Sequence, residues 1–287
     1  MDNWIDSGKI NIIVQKVLVE GCGAIILTGP SSCGKGQIAN ELRNFLSIPK
    51  ERHLSMGDIL RTTIKRARSD ADFRDRLSDK YKISDNVSVF DYNQNREELI
   101  LKVKKYEDKL MFFYSDKDII SQLDWLEFCV REGLLVPDEW TVNLINATFE
   151  YYDEFQKEIF ILDGYPRTTK AAEELIRTFE MFNIPIIKVI HLSITKEEMI
   201  RRALNRKRLD DNRESLERRY QFYVENVQPS IDFLKLRLGS NKVTLIDAHQ
   251  PVYNDAGDVD IEKSIKQVTL SVLQSLGLPR YLLDIKK

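Results

Sequence analysis

A glycine-rich loop between an apolar stretch and a helix-like stretch constrains this chain more than any other feature. Residues 24–28 are apolar and largely β-branched, which predicts a buried strand. The loop that follows, Gly29–Gly36, has the form G-x-x-x-x-G-K. Residues 37–46 then place their apolar side chains on one side of a helix. A strand, a loop of this form and a helix, in that order, predict a phosphate-binding loop.

The phosphate-binding interpretation has a simple physical basis. Glycines let consecutive backbone N–H groups turn towards one point without clashes from Cβ atoms, and the helix N-terminus adds partial positive charge. Lys35 contributes a full charge that can follow the β- and γ-phosphates of a nucleotide. An ordinary glycine turn before a helix is the alternative. Gly36 follows the lysine, so no hydroxyl at that position is available for Mg²⁺, which would need a carboxylate elsewhere.

Composition indicates a globular α/β protein. The 287 residues are 43% hydrophobic and 31% charged, and the formal net charge is −2. A charge so close to zero argues against a nucleic-acid or anionic-membrane partner. The three cysteines lack metal-ligand spacing, which suits a reducing compartment. With no signal peptide and no apolar run of about 20 residues, we expect a cytoplasmic monomer.

Further apolar stretches predict strands that alternate with helices. Strands are expected at residues 158–162, 186–194 and 242–247, and an N-terminal helix is expected over residues 3–19. This alternation predicts a three-layer P-loop fold of the α/β class, with a parallel sheet and helices on both faces. Ligands bind such sheets beyond the carboxyl ends of the strands.

Charged residues stand where this ligand edge is expected. Asp163 directly follows a predicted strand, where a carboxylate that organises Mg²⁺ belongs. Arg61 and Arg167 are candidate anion clamps, although an arginine on a helix is also a common solvated charge. The arginine-rich stretch 201–219 is either an exposed helix face with i,i+4 ion pairs or a lid over a triphosphate.

Residues 66–128 are rich in charged and aromatic side chains. Because aromatic residues usually belong to cores, the simpler hypothesis is a small inserted subdomain packed on itself. The alternative is a substrate cover or a partner surface. Within this stretch, residues 97–110 are predicted to form one helix with an apolar face.

Six motifs together resemble the adenylate kinase family of nucleoside monophosphate kinases. The resemblance covers residues 24–62 and 130–275. It implies reversible transfer of a phosphoryl group from ATP, with Mg²⁺, to a nucleoside monophosphate, with AMP as the first candidate. The motifs are, in chain order, Gly29–Gly36, Ser55–Arg61, Gly133–Glu139, Asp163–Thr168, Arg206–Leu216 and Asp247–Val252.

The resemblance also assigns the ATP side of a site. The residues implied to be catalytic are Lys35, Arg206, Arg208 and Arg219. Lys35 would hold the donor phosphates, and the three arginines would neutralise the transferring group. The residues implied to bind ATP are Gly29, Ser32, Cys33, Gly34, Lys35, Gly36, Gln37, Arg202, Pro251 and Val252.

On the other side, the resemblance implies an acceptor site and a magnesium carboxylate. Asp163 would organise Mg²⁺ through water, with Asp58 as second candidate. Met56 stands where adenylate kinases commonly have Thr, and Ala171 where a Gln that reads adenine is usual. The residues implied to bind the acceptor are Ser55, Met56, Arg61, Val136, Gly164 and Arg167.

The resemblance implies a single kinase domain over residues 1–287. Its core comprises residues 20–62, 130–200 and 212–287, with an acceptor-side insertion at 63–129 and a short lid at 201–211. Two other functions stay open. One is a non-catalytic, ATP-binding regulatory protein whose insertion blocks the acceptor site. The other is a P-loop kinase that phosphorylates a small molecule other than a nucleotide.

Overall fold

A five-stranded parallel sheet lies at the centre of the protein, whose computed structural model describes residues 17–206 and 213–279. The strand order is β2-β3-β1-β4-β5, and every neighbouring pair is parallel. This arrangement confirms the predicted three-layer α/β fold. The strands are β1 (Gly23–Thr28), β2 (His53–Ser55), β3 (Ile159–Asp163), β4 (Ile186–Ser193) and β5 (Val243–Asp247).

Helices connect the strands and cover both faces of the sheet. A small antiparallel pair, β6 (Val252–Tyr253) and β7 (Val259–Asp260), precedes the last helix. The α-helices of the described residues are α1 (Lys35–Phe45), α2 (Met56–Ser69), α3 (Ala71–Asp79), α4 (Glu97–Lys104), α5 (Glu107–Phe113), α6 (Gln122–Glu132), α7 (Asp138–Tyr151), α8 (Glu154–Lys157), α9 (Thr169–Met181), α10 (Lys196–Arg206), α11 (Arg213–Phe222), α12 (Gln228–Leu238) and α13 (Ile261–Ser275).

Two hydrophobic cores lie on opposite faces of the sheet. Successive residues of β1 point to opposite faces, so Ile26 joins one core while Ile25 and Leu27 join the other. Helices α2, α6, α7, α9 and α12 cover the first core, and α1, α10, α11 and α13 cover the second. Both faces of β1 are therefore buried, which explains its continuous apolar sequence.

Helices α3 to α6 extend the first core beyond the sheet. Their buried side chains, including Val103 and Trp125, belong to the same cluster as the sheet residues. The predicted single helix over residues 97–110 is wrong in one respect, because the chain leaves helical geometry at Tyr106 between α4 and α5. The Tyr106 ring packs 6.1 Å from Trp125 and 5.9 Å from Phe128, so tertiary packing overrides the local helix pattern.

The N-terminal stretch and the helices before β5 complete the fold. Most of the helix expected at residues 3–19 lies outside the described residues, and residues 17–19 are not helical. Residues 213–238 are continuously helical, with a π-helical turn at Tyr223–Val227 between α11 and α12. Pro229 stands in the first turn of α12, immediately after it, and lacks an N–H that could donate to the preceding turn.

Candidate functional site

The carboxyl ends of three strands bring the predicted phosphate loop and the acidic motif together. Residue Leu27 of β1 lies opposite Asp163 of β3, and Asp163 lies opposite Ser55 of β2. The Gly164 N–H donates to the Leu27 carbonyl at 3.0 Å, which continues the pairing past the strand end. The loop after β1, Asp163 and the start of α2 therefore share one edge of the sheet, where the sequence placed the loop and Asp163.

The loop between β1 and α1 needs glycine at two positions. Gly29 has φ +144°, and a Cβ atom there would lie 2.3 Å from the Leu192 carbonyl oxygen. Gly34, the residue before α1, is left-handed with φ +97°. Between them, Ser32 is left-handed as well. This backbone brings the first N–H groups of α1, which have no helical partner, to the loop.

Lys35 folds back over its own loop. Its Nζ donates to the carbonyls of Gly29 at 3.0 Å and Pro30 at 2.8 Å, and lies 3.6 Å from the Cys33 sulfur. Cys33 is buried and fills the space under the loop. The lysine charge is thus held at the loop by neutral carbonyls, which phosphate oxygens can replace. Gly36 and Gln37 are exposed at the start of α1.

Asp163 is a buried carboxylate with unused hydrogen-bonding capacity. Its Oδ1 has no hydrogen-bond partner among the described residues, and its Oδ2 lies 3.7 Å from His53 Nε2. A buried carboxylate oxygen without a partner is costly unless water or a cation satisfies it. Within the described residues, no group of three His, Cys, Asp or Glu side chains comes together to hold a metal ion.

The two candidate acceptor arginines are exposed residues at this edge. Arg61, which is exposed, donates to Asp58 Oδ1 at 2.7 Å. Arg167 donates from Nε to the Gly164 carbonyl at 2.9 Å. Arg167 is exposed, but nearby protein atoms desolvate its guanidinium, and this desolvation, opposed by Asp163 and aided by Arg219, lowers the pKa of Arg167. The guanidinium remains charged at neutral pH.

The other candidate acceptor residues are mostly apolar. Ser55 caps α2 by accepting the Asp58 N–H at 3.3 Å. Met56 and Val136 are only 2% and 4% exposed, and Ala171 is 0% exposed; all three belong to the first core. Positions 56 and 171 therefore offer a nucleobase no side-chain hydrogen bond.

The candidate ATP-side residues outside the loop come from three elements. Arg202 of α10 donates from Nη2 to the Ala248 carbonyl at 2.9 Å. The Val252 N–H donates to Ser264 Oγ at 2.9 Å, and Pro251 beside it is half-buried. Arg219 is half-buried on α11 and lies close enough to Arg167 to affect its pKa. Arg206 is the last residue of α10, and Arg208 lies outside the described residues.

Sequence reasoning missed a buried pair behind the loop. His191 Nε2 lies 2.8 Å from the Tyr223 hydroxyl, and the two rings stack with centroids 5.7 Å apart. Burial and then the charge of Lys35 lower the pKa of His191 to about 4, against the effect of Asp232. The histidine is therefore neutral at physiological pH. The partner is 32 residues away on the π-helical turn, so local patterns contain no signal for it.

A family comparison supports the motif-based resemblance. A sequence profile of the family described as Adenylate kinase matches residues 124–238. This region includes Asp163, Arg167, Arg202 and Arg219. Among the described residues, we find no helix both long and apolar enough to cross a membrane.

Several similar curated proteins are each named "Adenylate kinase". One from Trichodesmium erythraeum is 26% identical over 233 residues, which cover 79% of this chain and 91% of that protein. One from Cyanothece sp. is 29% identical over 79% of this chain and 88% of its own length. One from Alkaliphilus oremlandii is 26% identical over 88% of this chain and 98% of its own length. The similarity therefore extends well beyond the region that the family profile matches.

Proposed function

We propose that the chain transfers the γ-phosphoryl group of ATP reversibly to a nucleoside monophosphate, with AMP as the first acceptor. One observation carries this proposal. The loop that holds Lys35 and the two acceptor arginines, Arg61 and Arg167, lie at the same edge of the sheet. A protein that only senses ATP has no need of a second set of phosphate-binding cations.

The chain's own residues can supply what phosphoryl transfer requires. The loop amides and Lys35 would bind the phosphates of ATP, while Arg61 and Arg167 would bind the phosphate of the acceptor. Arg219, together with Arg206 and Arg208, would neutralise charge on the group in transit. Positioning and neutralisation supply most of the catalysis in this reaction, so no general base is needed.

Magnesium fits the carboxylate that the structure leaves partly unsatisfied. We propose that Asp163 binds a water of the Mg²⁺–ATP complex, because its Oδ1 is buried without a partner. When bound, the ion neutralises negative charge on the phosphate oxygens. Asp58 is a weaker candidate, since it is exposed and its Oδ1 already accepts from Arg61.

The acceptor base is expected to be selected mainly by shape. Apolar Met56 and Ala171 cannot read the hydrogen-bonding edge of a base. A pocket that lacks such a polar contact discriminates weakly, by about 1–3 kcal/mol. We therefore expect AMP to be used, with other monophosphates as slower substrates.

The insertion at residues 63–129 belongs to the acceptor side in this proposal. Helix α2 carries Arg61 at its start and packs against α3 and α6 of the insertion. The insertion would then support the acceptor helix rather than act as an independent unit, because its core is continuous with that of the sheet.

A coupled assay with ATP and a panel of acceptors tests the function. The panel comprises AMP, CMP, UMP, GMP and their deoxy forms, and the expected result is turnover that is fastest with AMP. Tight ATP binding without turnover of any acceptor would instead favour the regulatory protein. Turnover confined to acceptors other than nucleotides would favour the small-molecule kinase.

A further inference from the structure

A single carboxylate on α10 holds two arginines and a histidine together. Glu198 is almost buried, and it accepts hydrogen bonds from Arg201 Nε and Nη2, both at 2.7 Å, and from Arg202 Nε at 2.6 Å. His249 Nδ1 lies 3.1 Å from its Oε1. We call these four residues the Glu198 clasp. Charge-assisted hydrogen bonds of this kind are short and directional, so they fix the arginine planes.

The clasp ties α10 to the loop that follows β5. Arg202 Nη2 donates to the Ala248 carbonyl, and the Ala248 N–H donates to the Ser193 carbonyl at 2.8 Å. The His249 N–H in turn donates to Asp247 Oδ1 at 2.8 Å. Residues 247–252 are therefore held from the α10 side by the clasp, immediately before Pro251 and Val252.

Removal of the Glu198 charge would disturb this whole surface. The guanidinium groups of Arg201 and Arg202 would face each other without the shared carboxylate, and like charges at this distance repel. Arg202 would lose one of its two fixed contacts, and His249 would lose its contact with α10. A flat guanidinium that no longer has one orientation is a poorer surface for an aromatic ring.

From this geometry we infer that Glu198 is a positioning residue for the base of the phosphoryl-donor nucleotide. It acts through Arg202 and His249 and does not touch the phosphates. The inference rests on the proposed function only in placing the ATP base against Arg202, Pro251 and Val252. It adds a determinant of nucleotide selection that lies beneath the binding surface.

Calorimetric titration of Glu198→Gln with two ligands tests the inference. ATP carries a base, whereas inorganic tripolyphosphate carries only the phosphates. We expect the variant to bind ATP about tenfold more weakly, the size of effect that follows loss of a hydrogen bond to a charged group. Binding of tripolyphosphate should stay within twofold. The matched control is Glu197→Gln, because Glu197 is the exposed neighbouring carboxylate on the same helix.

Two results would overturn the inference. One is unchanged ATP affinity in Glu198→Gln, and the other is an equal loss for ATP and tripolyphosphate. If Glu198→Gln does not fold, His249→Ala decides the question, because His249 is exposed and contributes one contact to the clasp. His249→Ala should weaken ATP binding about threefold and leave tripolyphosphate binding unchanged. Equal effects on the binding of both ligands, or no effect on either, would contradict the inference.

These titrations contain no acceptor, so their outcome is separate from that of the proposed reaction. A chain that phosphorylates no acceptor can still show the base-dependent loss in Glu198→Gln. Conversely, turnover of AMP with no base-dependent loss would leave the kinase proposal intact and remove the role of Glu198.

Discussion

The ATP side and the acceptor side of the candidate site hold their cations differently. Lys35 and Arg202 on the ATP side are each anchored by two or more protein groups. On the acceptor side, Arg61 has one exposed carboxylate partner in Asp58, and Arg167 donates to one backbone carbonyl. The ATP side is therefore preorganised, whereas we expect the acceptor side to gain most of its order from a bound ligand.

The two sides also differ in what supports them. Backbone geometry shapes the ATP loop, since Gly29 admits no side chain beside Leu192. The acceptor helix α2 is instead anchored at its far end, where Arg68 donates to Asp124 at 2.5 Å and to Glu127 at 2.8 Å. Arg61 stands two turns earlier on the same helix. Local chain geometry thus makes one half of the site, and long-range ion pairing with the insertion holds the other.

Lys35→Met should produce the largest effect, because it removes the only lysine of the phosphate loop. We expect kcat to fall by about 10³-fold or more, since the charge stabilises the transferring group. The thermal midpoint should change little, because Nζ contacts two half-buried loop carbonyls and the Cys33 sulfur, all within its own loop. The coupled assay and a melting curve measure both quantities.

Lys50→Met is the matched control, because Lys50 is an exposed lysine outside the loop. Its kcat should equal that of the unmodified chain. A near-normal rate in Lys35→Met would show that the ATP side is not organised by this charge, and it would remove the contrast between the two halves.

Among these variants, Asp124→Asn should lower the free energy of unfolding the most. The Asp124 side chain is 0% exposed. Burial raises its pKa, but hydrogen bonds from Lys117, Ser121 and Arg68 outweigh burial and lower the pKa overall. Removing one charge of a buried ion pair leaves the others uncompensated, so we expect the free energy of unfolding to fall by about 3 kcal/mol. Urea unfolding at neutral pH measures the loss.

The exposed residue Asp118 provides the control, and Asp118→Asn should unfold like the unmodified chain. The acceptor KM of Asp124→Asn should also rise, while its KM for ATP stays constant. If stability and both KM values are unchanged, the insertion does not anchor α2, and the acceptor side lacks the support described here.

The contrast between local chain geometry and long-range contacts also explains which features could be predicted from the sequence. Strands β1, β3 and β4 and the loop at Gly29–Gly36 were predictable, because each depends on a continuous local pattern. The position of Asp163 beside the phosphate loop followed from the rule that parallel strands end at one edge.

Contacts between distant parts of the chain were not predictable. The pair Glu198–Arg202 has helical spacing and is visible in the sequence, but the approach of His249 depends on the position of β5 in the sheet. The break at Tyr106 follows from packing against Trp125, 19 residues later. Sequence patterns indicate which side chains are apolar or charged, and only the fold selects their partners.

Arg167→Ala tests the acceptor side directly. We expect the KM for AMP to rise about thirtyfold, because a charge-assisted contact worth about 2 kcal/mol is lost. The KM for ATP should change less than threefold. Arg177→Ala is the control, since Arg177 is exposed on α9 and forms ion pairs with Glu173 and Glu174 of the same helix. An effect confined to ATP would mean that the two sides have been assigned in reverse.

Acidification should lower the free energy of unfolding through His191, which is buried behind the phosphate loop. The pKa of the folded histidine is about 4, whereas the ordinary value is near 6.5. Its contribution to stability is therefore complete above pH 6.5 and is lost as the pH falls towards 4, because the unfolded chain binds the proton first. Relative to pH 7.5, we expect this group to remove about 2 kcal/mol from the free energy of unfolding at pH 5.

Two variants separate the charge of His191 from its hydrogen bond. In His191→Asn the pH-dependent loss between pH 7.5 and 5 should shrink by this amount, because the titrating group is gone. Tyr223→Phe should lower stability by about 1 kcal/mol at every pH and keep the slope, since burial is the main cause of the shift. An unaltered slope in His191→Asn would mean that other groups cause the acid sensitivity, and that the buried pair beneath the phosphate loop serves only packing.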